Sequence, residues 1–260
     1  MTEEEKLEEV NALLVEDLPE YREEASFFPK EEEAQLRLFR TLRNVRPPLP
    51  LSQRYLELEG EILEEEKKKK GIIDVLSLPK TKNPRIALFQ GDITVLKADA
   101  IVNAANAELL GCFVPLHSCI DNAIHSAAGA GLREECDEIM RKQGHPEETG
   151  KAKITRGYHL PAAHVIHTVG PIVSGEVTEE NRKDLASCYR SCLSLAAEHS
   201  LSSLVFCCLS TGVFSFPNGE AAKIAVSTVT EYLSSHPLPQ LVVFDVFGEK
   251  DRQIYQRLLS

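Results

Sequence analysis

The chain has 260 residues, 43% of them hydrophobic and 27% charged, with no tryptophan and a formal net charge of -11. Such a length can bury a substantial core, and the composition is ordinary for a soluble globular protein. The acidic balance argues against wrapping nucleic acid, which requires basic groups to neutralise phosphates, although backbone amides could still hold one small diphosphate.

The seven cysteines are odd in number and all lie beyond residue 110. A reduced cytoplasmic protein is therefore expected rather than a disulfide scaffold. The stretch from Met1 to Leu14 is acidic and amphipathic, without the basic start or apolar core of a signal peptide. No apolar run is long enough to span a bilayer.

Up to about residue 70 the pattern is helical. Leu7, Val10, Leu13 and Leu14 share one face, and Leu36, Phe39 and Leu42 another. Asp17 and Pro19 interrupt the first segment, and Pro47, Pro48 and Pro50 close the second. A third helix is predicted over 53–68, its acid-before-base run Glu64 to Lys70 agreeing with the helix dipole.

From Gly71 onward strands and helices alternate. Strands are predicted over 86–90, 100–103, 164–169, 204–209 and 241–247, and helices over 120–125, 184–199, 221–233 and from Asp251. The region around Cys136 is read as helical too. This order implies a mixed or parallel sheet with helices on both faces (71–260) behind an N-terminal helical extension (1–70). Ligands of such sheets gather beyond the carboxyl ends of the strands.

Chemistry concentrates in a few loops. Cys112, His117 and Cys119 put two thiols and an imidazole within eight residues. Soft donors so placed suit zinc, and a set of three leaves a coordination position for water or substrate. Asn103 and Asn106 leave a strand and could fix a ribose through its hydroxyls. Ser210-Thr211-Gly212-Val213-Phe214 leaves the central strand, with amides able to face a phosphate. Gly91-Asp92 offers a carboxylate that can accept from an adenine amine. Asp121 is the carboxylate best placed to hold water, with capping of the following helix as the competing reading. Cys136, Cys188 and Cys192 read as packed core thiols, and Cys207 and Cys208 as residues on opposite faces of a strand. His125 reads as structural, with metal ligation as its alternative.

Taken in order, Gly91-Asp92-Ile93-Thr94, Asp99 to Asn106, Asp121-Asn122-Ala123-Ile124-His125, Thr149-Gly150, Gly157-Tyr158 and Val165 to Pro171 resemble the macrodomain family, from about Phe89 to the C-terminus. The resemblance implies a three-layer α/β/α sandwich with a mixed central sheet, and ADP-ribose as ligand. Asp92 with Ile93 would contact adenine, Phe247 would stack near it, Ser210 to Phe214 would hold the diphosphate, and Asn106 the distal ribose. The interruption of the usual glycine-rich run by Cys112, His117 and Cys119, together with the helical extension, resembles the zinc-containing microbial branch. That branch implies hydrolytic removal of mono-ADP-ribose from proteins, with Asn106 and Asp121 as the catalytic pair. A non-catalytic ADP-ribose reader and a deacylase of O-acyl-ADP-ribose remain alternatives. The expected partners are a mono-ADP-ribosylated protein and ADP-ribose, with no membrane and no nucleic acid, and the chain is expected to act as a monomer.

Overall fold

A computed structural model describes residues 1–260. The chain opens with α1 (Glu3–Asp17), whose Thr2 cap accepts from Glu5 N while Glu5 reaches back to the Thr2 amide. This reciprocal capping satisfies two otherwise orphaned donors. Helices α2 (Arg22–Ser26), α3 (Glu32–Val45) and α4 (Gln53–Lys70) follow. Leu7, Val10 and Leu14 of α1, Phe39 and Leu42 of α3, and Tyr55, Leu58 and Ile62 of α4 form a hydrophobic cluster of their own.

The remainder is built around one sheet. Strand β1 (Ile73–Asp74) pairs in parallel with β3 (Leu96–Lys97) in a small separate ladder. The main elements are β2 (Ile86–Gln90), β4 (Ala100–Ala105), α5 (Ile120–Ala128), α6 (Ala130–Gln143), β5 (Ala152–Arg156), β6 (His164–Val169), α7 (Glu179–Glu198), β7 (Ser203–Phe206), α8 (Asn218–Ser235), β8 (Leu241–Val246) and α9 (Glu249–Leu259). The sheet order is β2-β8-β7-β4-β6-β5, and β5 alone runs antiparallel. Helices α7, α8 and α9 pack side by side, whereas α5 and α6 pack on β4 and β5, giving three layers. Strands β4, β7 and β8 are buried at nearly every position, as strands covered on both faces must be.

Several sequence expectations are met residue for residue, including the strands 86–90 and 164–169. The strand expected over 204–209 ends at Phe206, because the chain turns there into the loop that carries Ser210. Cys207 and Cys208 are therefore not strand residues; Cys207 is buried, and the Cys208 thiol leans on the Asp245 carbonyl at 3.8 Å. Cys136, Cys188 and Cys192 are fully buried, the first on α6 and the other two in the α7 core face.

The extension and the sheet core meet through a polar seam. Arg43 pairs with Glu59 at 3.0 Å with both side chains buried, and Glu59 also accepts from Ala130 N at the start of α6. Arg43 donates to Ser126 O at 2.9 Å, while Arg133 of α6 donates back to the carbonyls of Arg43 and Arg46. Breaking such a buried pair on one side leaves an uncompensated charge, which costs about 3–5 kcal/mol.

Candidate active site

Parallel strands put their carboxyl ends on one edge. Along it stand, in sheet order, Asp92 after β2, Phe247 after β8, Ser210–Phe214 after β7 and Asn106 after β4. The site is thus assembled from loops far apart in sequence by the strand order alone.

At the first position Asp92 starts a short 3-10 turn, its Oδ1 accepting from Thr94 N at 2.9 Å. Its Oδ2 meets Lys70 Nζ at 2.9 Å, a cation from the last turn of α4. Burial would raise the Asp92 pKa, but the hydrogen bonds from Lys70 and Thr94 outweigh it and hold the carboxyl below its usual value. Ile93 is buried beside it, and Phe247 is 84% exposed at the rim. Between them, at the end of β8, Asp245 is buried with Oδ1 unpartnered. Burial, followed by repulsion from Asp92, lifts its pKa to about 8.

The loop after β7 has Ser210 and Ser215 at positive φ, 62° and 57°. Phe216 N closes it onto Ser210 O at 2.9 Å, and Ser215 N onto Gly212 O at 3.0 Å. The amides of Thr211, Gly212, Val213 and Phe214 have no partner within the protein. Successive free amides in a turn form a concavity suited to an anion. The Ser210 hydroxyl lies where a Cβ on Gly170 would stand, 2.0 Å away, so glycine there is a steric requirement.

Next comes the Asn106–Asp121 region. Asn106 is half-buried; its Oδ1 accepts from Glu108 N, and its Nδ2 donates to Gly111 O at 3.0 Å and reaches Asp121 Oδ2 at 3.5 Å. Asn103 is fully buried and faces inward, donating to Asp121 Oδ1 at 2.7 Å with His167 Nδ1 at 3.2 Å. It is an internal strut and not a candidate ribose contact. Asp121 is 6% exposed and turns to these two amides, so it does not cap α5. The cap is Cys119, whose Sγ accepts from Asn122 N at 3.3 Å. A tertiary partner has displaced the local capping option that the sequence suggested. Burial raises the Asp121 pKa to about 6 against the opposing Asn103 hydrogen bond.

Cys112, His117 and Cys119 converge on this corner, all half-buried, with their donor atoms within 4.8 Å of one another. Cys112 Sγ lies 3.5 Å from His117 Nδ1. Tetrahedral zinc with bonds of about 2.0–2.3 Å separates its sulfur and nitrogen ligand atoms by roughly 3.5–3.8 Å, so Cys112 and His117 already stand at that spacing, and two thiols with an imidazole are the donor types that suit such an ion. Burial, then the adjacent Cys112, pushes the Cys119 thiol up to about 11, a penalty a bound cation removes. The loop reaches this shape because Gly111 takes φ 80° directly above the His125 ring, where a Cβ would come within 2.9 Å of the imidazole. His125 is thus the floor under the loop.

A second group of donors, His125, Cys136 and His167, is wholly buried. His167 Nε2 meets Thr155 Oγ1 at 3.0 Å and Cys136 Sγ at 3.8 Å. Burial holds His167 neutral, with a pKa of about 3, and burial followed by His167 and Arg133 lowers that of His125.

A cleft of about 700 Å³ joins Asp92, Ile93 and Phe247 to His117 and Cys119. Its outer wall is the helical extension, through Arg40, Asn44, Leu63, Glu66, Lys67 and Lys70. Cys112, Asn106, Asp121 and the 210–214 loop lie outside its lining. Sequence reading missed Lys70, Asn44 and Asp245. The first two sit in helices separated from the site by long stretches of chain, and Asp245 hides within an apolar strand.

The macro domain family model matches residues 102–225. A protein-ADP-ribose hydrolase of Treponema medium is 48% identical over 235 residues, covering 89% of this chain and 90% of the relative. One from Staphylococcus aureus is 50% identical over 224 residues, covering 86% and 84%. The Trypanosoma brucei macrodomain in complex with ADP-ribose superposes with a TM-score of 0.66 at 31% identity, covering 85% of this chain and 95% of that one. The Oceanobacillus iheyensis macrodomain with ADP gives 0.61 at 40% identity, covering 66% and 88%. With this identity over most of its length, the chain belongs to the macrodomain family.

Proposed function

We propose that the protein is a zinc-dependent protein-ADP-ribose hydrolase, releasing mono-ADP-ribose by cleaving the bond at the distal ribose. The observation that carries this reading is the convergence of two thiols and an imidazole next to the Asn106–Asp121 pair, at the edge where the phosphate-type loop opens. Relatives named protein-ADP-ribose hydrolase, and related macrodomains with ADP-ribose or ADP bound, support the substrate class.

Each end of the ligand has its own residues. Asp92, with Ile93 beside it, accepts from the adenine amine, and Phe247 covers the ring. Ser210 to Phe214 receive the diphosphate through their free amides. Asn106 fixes the distal ribose hydroxyls. Asp121, steadied by Asn103, holds the attacking water near the anomeric carbon. The water oxygen bonds to that carbon, the bond to the modified side chain breaks, and the water proton passes to the leaving group. Zinc bound by Cys112, His117 and Cys119 would supply a positive charge that orients the ribose oxygens. All seven cysteines are free, in keeping with a reducing, cytoplasmic setting. The reading takes the chain as a monomer, with residues 1–70 as extension and 71–260 as catalytic body.

The test is release of ADP-ribose from Asp/Glu-linked and from Ser- or Arg-linked proteins, before and after chelation, with metal analysis of the same samples. The expected result is about one zinc per chain and turnover that fails on chelation and returns with zinc. Asn106→Ala is expected to cut turnover by about 100-fold or more while ADP-ribose still binds. ADP-ribose binding without release would make the protein a reader. Equal release with and without metal would remove the zinc from the mechanism.

A further inference from the structure

The loop bearing the three soft donors is anchored to the helical extension at one point. Asn44, in the last turn of α3, is buried, and its Oδ1 accepts from Leu116 N at 2.9 Å. Leu116 is the residue before His117 and takes φ 54°, a left-handed conformation unfavourable to a leucine. The turn it belongs to is closed by His117 N donating to Val114 O at 3.2 Å.

The same amide side chain works in the other direction. Asn44 Nδ2 donates to Ser126 Oγ at 3.2 Å, Ser126 Oγ donates to Asn122 Oδ1 at 3.1 Å, and Asn122 Nδ2 donates to Val114 O at 3.1 Å. The Asn122 backbone amide meets Cys119 Sγ. One side chain therefore joins both ends of the Val114–His117 turn, and through Asn122 touches the thiol that follows it. Leu116 is itself exposed, so water could replace the Asn44 bond without unfolding the loop. What Asn44 adds is geometry: it holds a strained turn in the one shape that aims the His117 imidazole at Cys112.

We propose that Asn44 is a positioning residue for the metal-binding loop, so that the helical extension sets the coordination geometry of the Cys112–His117–Cys119 site. This rests on the metal reading given above. Groups that orient metal ligands from outside the coordination sphere are worth about 10- to 100-fold in metal affinity. Because Asn44 acts through backbone, the lower end applies.

The test measures zinc affinity of the full chain by competition with a chromophoric chelator, together with the visible spectrum of the cobalt-loaded protein. Asn44→Ala is expected to weaken zinc about tenfold and to change the cobalt bands. Ser126→Ala, which cuts the second half of the chain of bonds, should shift both in the same direction by less. Asn44→Asp keeps the oxygen facing Leu116 N and should restore the cobalt spectrum. Wild-type affinity and spectrum in both alanine variants would overturn the positioning role. A wild-type chain that takes up neither metal would overturn the metal reading itself, and the two failures are told apart by the wild-type sample alone.

Discussion

Two clusters of the same donor types lie back to back in this protein, and they behave as opposites. Cys112, His117 and Cys119 sit on a half-buried loop with an open side to the cleft, while His125, Cys136 and His167 are sealed between α5, α6 and β6. In the sealed group His167 already has Asn103, Thr155 and Cys136 as partners, and burial keeps it neutral. In the open group the thiols and imidazole face one another, and Cys119 also accepts from Asn122 N. Donor identity is the same in both groups; what separates them is access, since His125 in the sealed group also leaves both ring nitrogens without a hydrogen-bond partner.

The most direct way to break this contrast is to remove one thiol from each side. Cys119→Ala is expected to drop bound zinc well below one per chain and to cut turnover by at least about 100-fold. Cys136→Ala should leave both unchanged and cost only packing stability. A fully active, metal-free Cys119→Ala protein would erase the distinction.

Next in size, His167→Ala should destabilise the fold by about 2–4 kcal/mol in urea unfolding, since it opens a cavity and takes one hydrogen-bond partner each from Asn103 and Thr155. Zinc content of the folded variant should stay at the wild-type level. Loss of zinc without loss of stability would place the metal in the sealed cluster.

The smallest effect belongs to Asp245, a buried carboxyl near the open cleft. Its folded-state pKa, raised to about 8, lies above the unfolded value, so the stability tied to its neutral form is fully present below about pH 4 and is lost as pH rises through 8. Asp245→Asn should therefore be more stable than wild type at pH 9, by about 1–3 kcal/mol, with the gain shrinking towards pH 5. A pH-independent difference between the two melting curves would show that Asp245 is ionised throughout.

Much of this was legible from the chain. The strands 86–90 and 164–169 announced themselves by short apolar runs bounded by Gly91 and by Gly170-Pro171, and the donor cluster by spacing within one loop. Strand β5 escaped because Ala-Lys-Ile-Thr-Arg carries a single large aliphatic residue and lies at an edge. The competing reading of Asp121 as a helix cap failed because Asn103, on a strand 18 residues earlier, takes the same carboxylate. Asn44 and Leu116 are 72 residues apart, and no local pattern could join them. Contacts across such separations are set by packing, which a single sequence does not display.

The strand order also acts as a ruler. Asp92, the phosphate-type loop and Asn106 hang from β2, β7 and β4, so their separation is fixed by backbone pairing at about 4.8 Å per strand. No side-chain change can stretch or shorten that scale. Under the proposed reading, a ligand must match that scale to engage both ends, and a mononucleotide that reaches only one would leave the far loops idle.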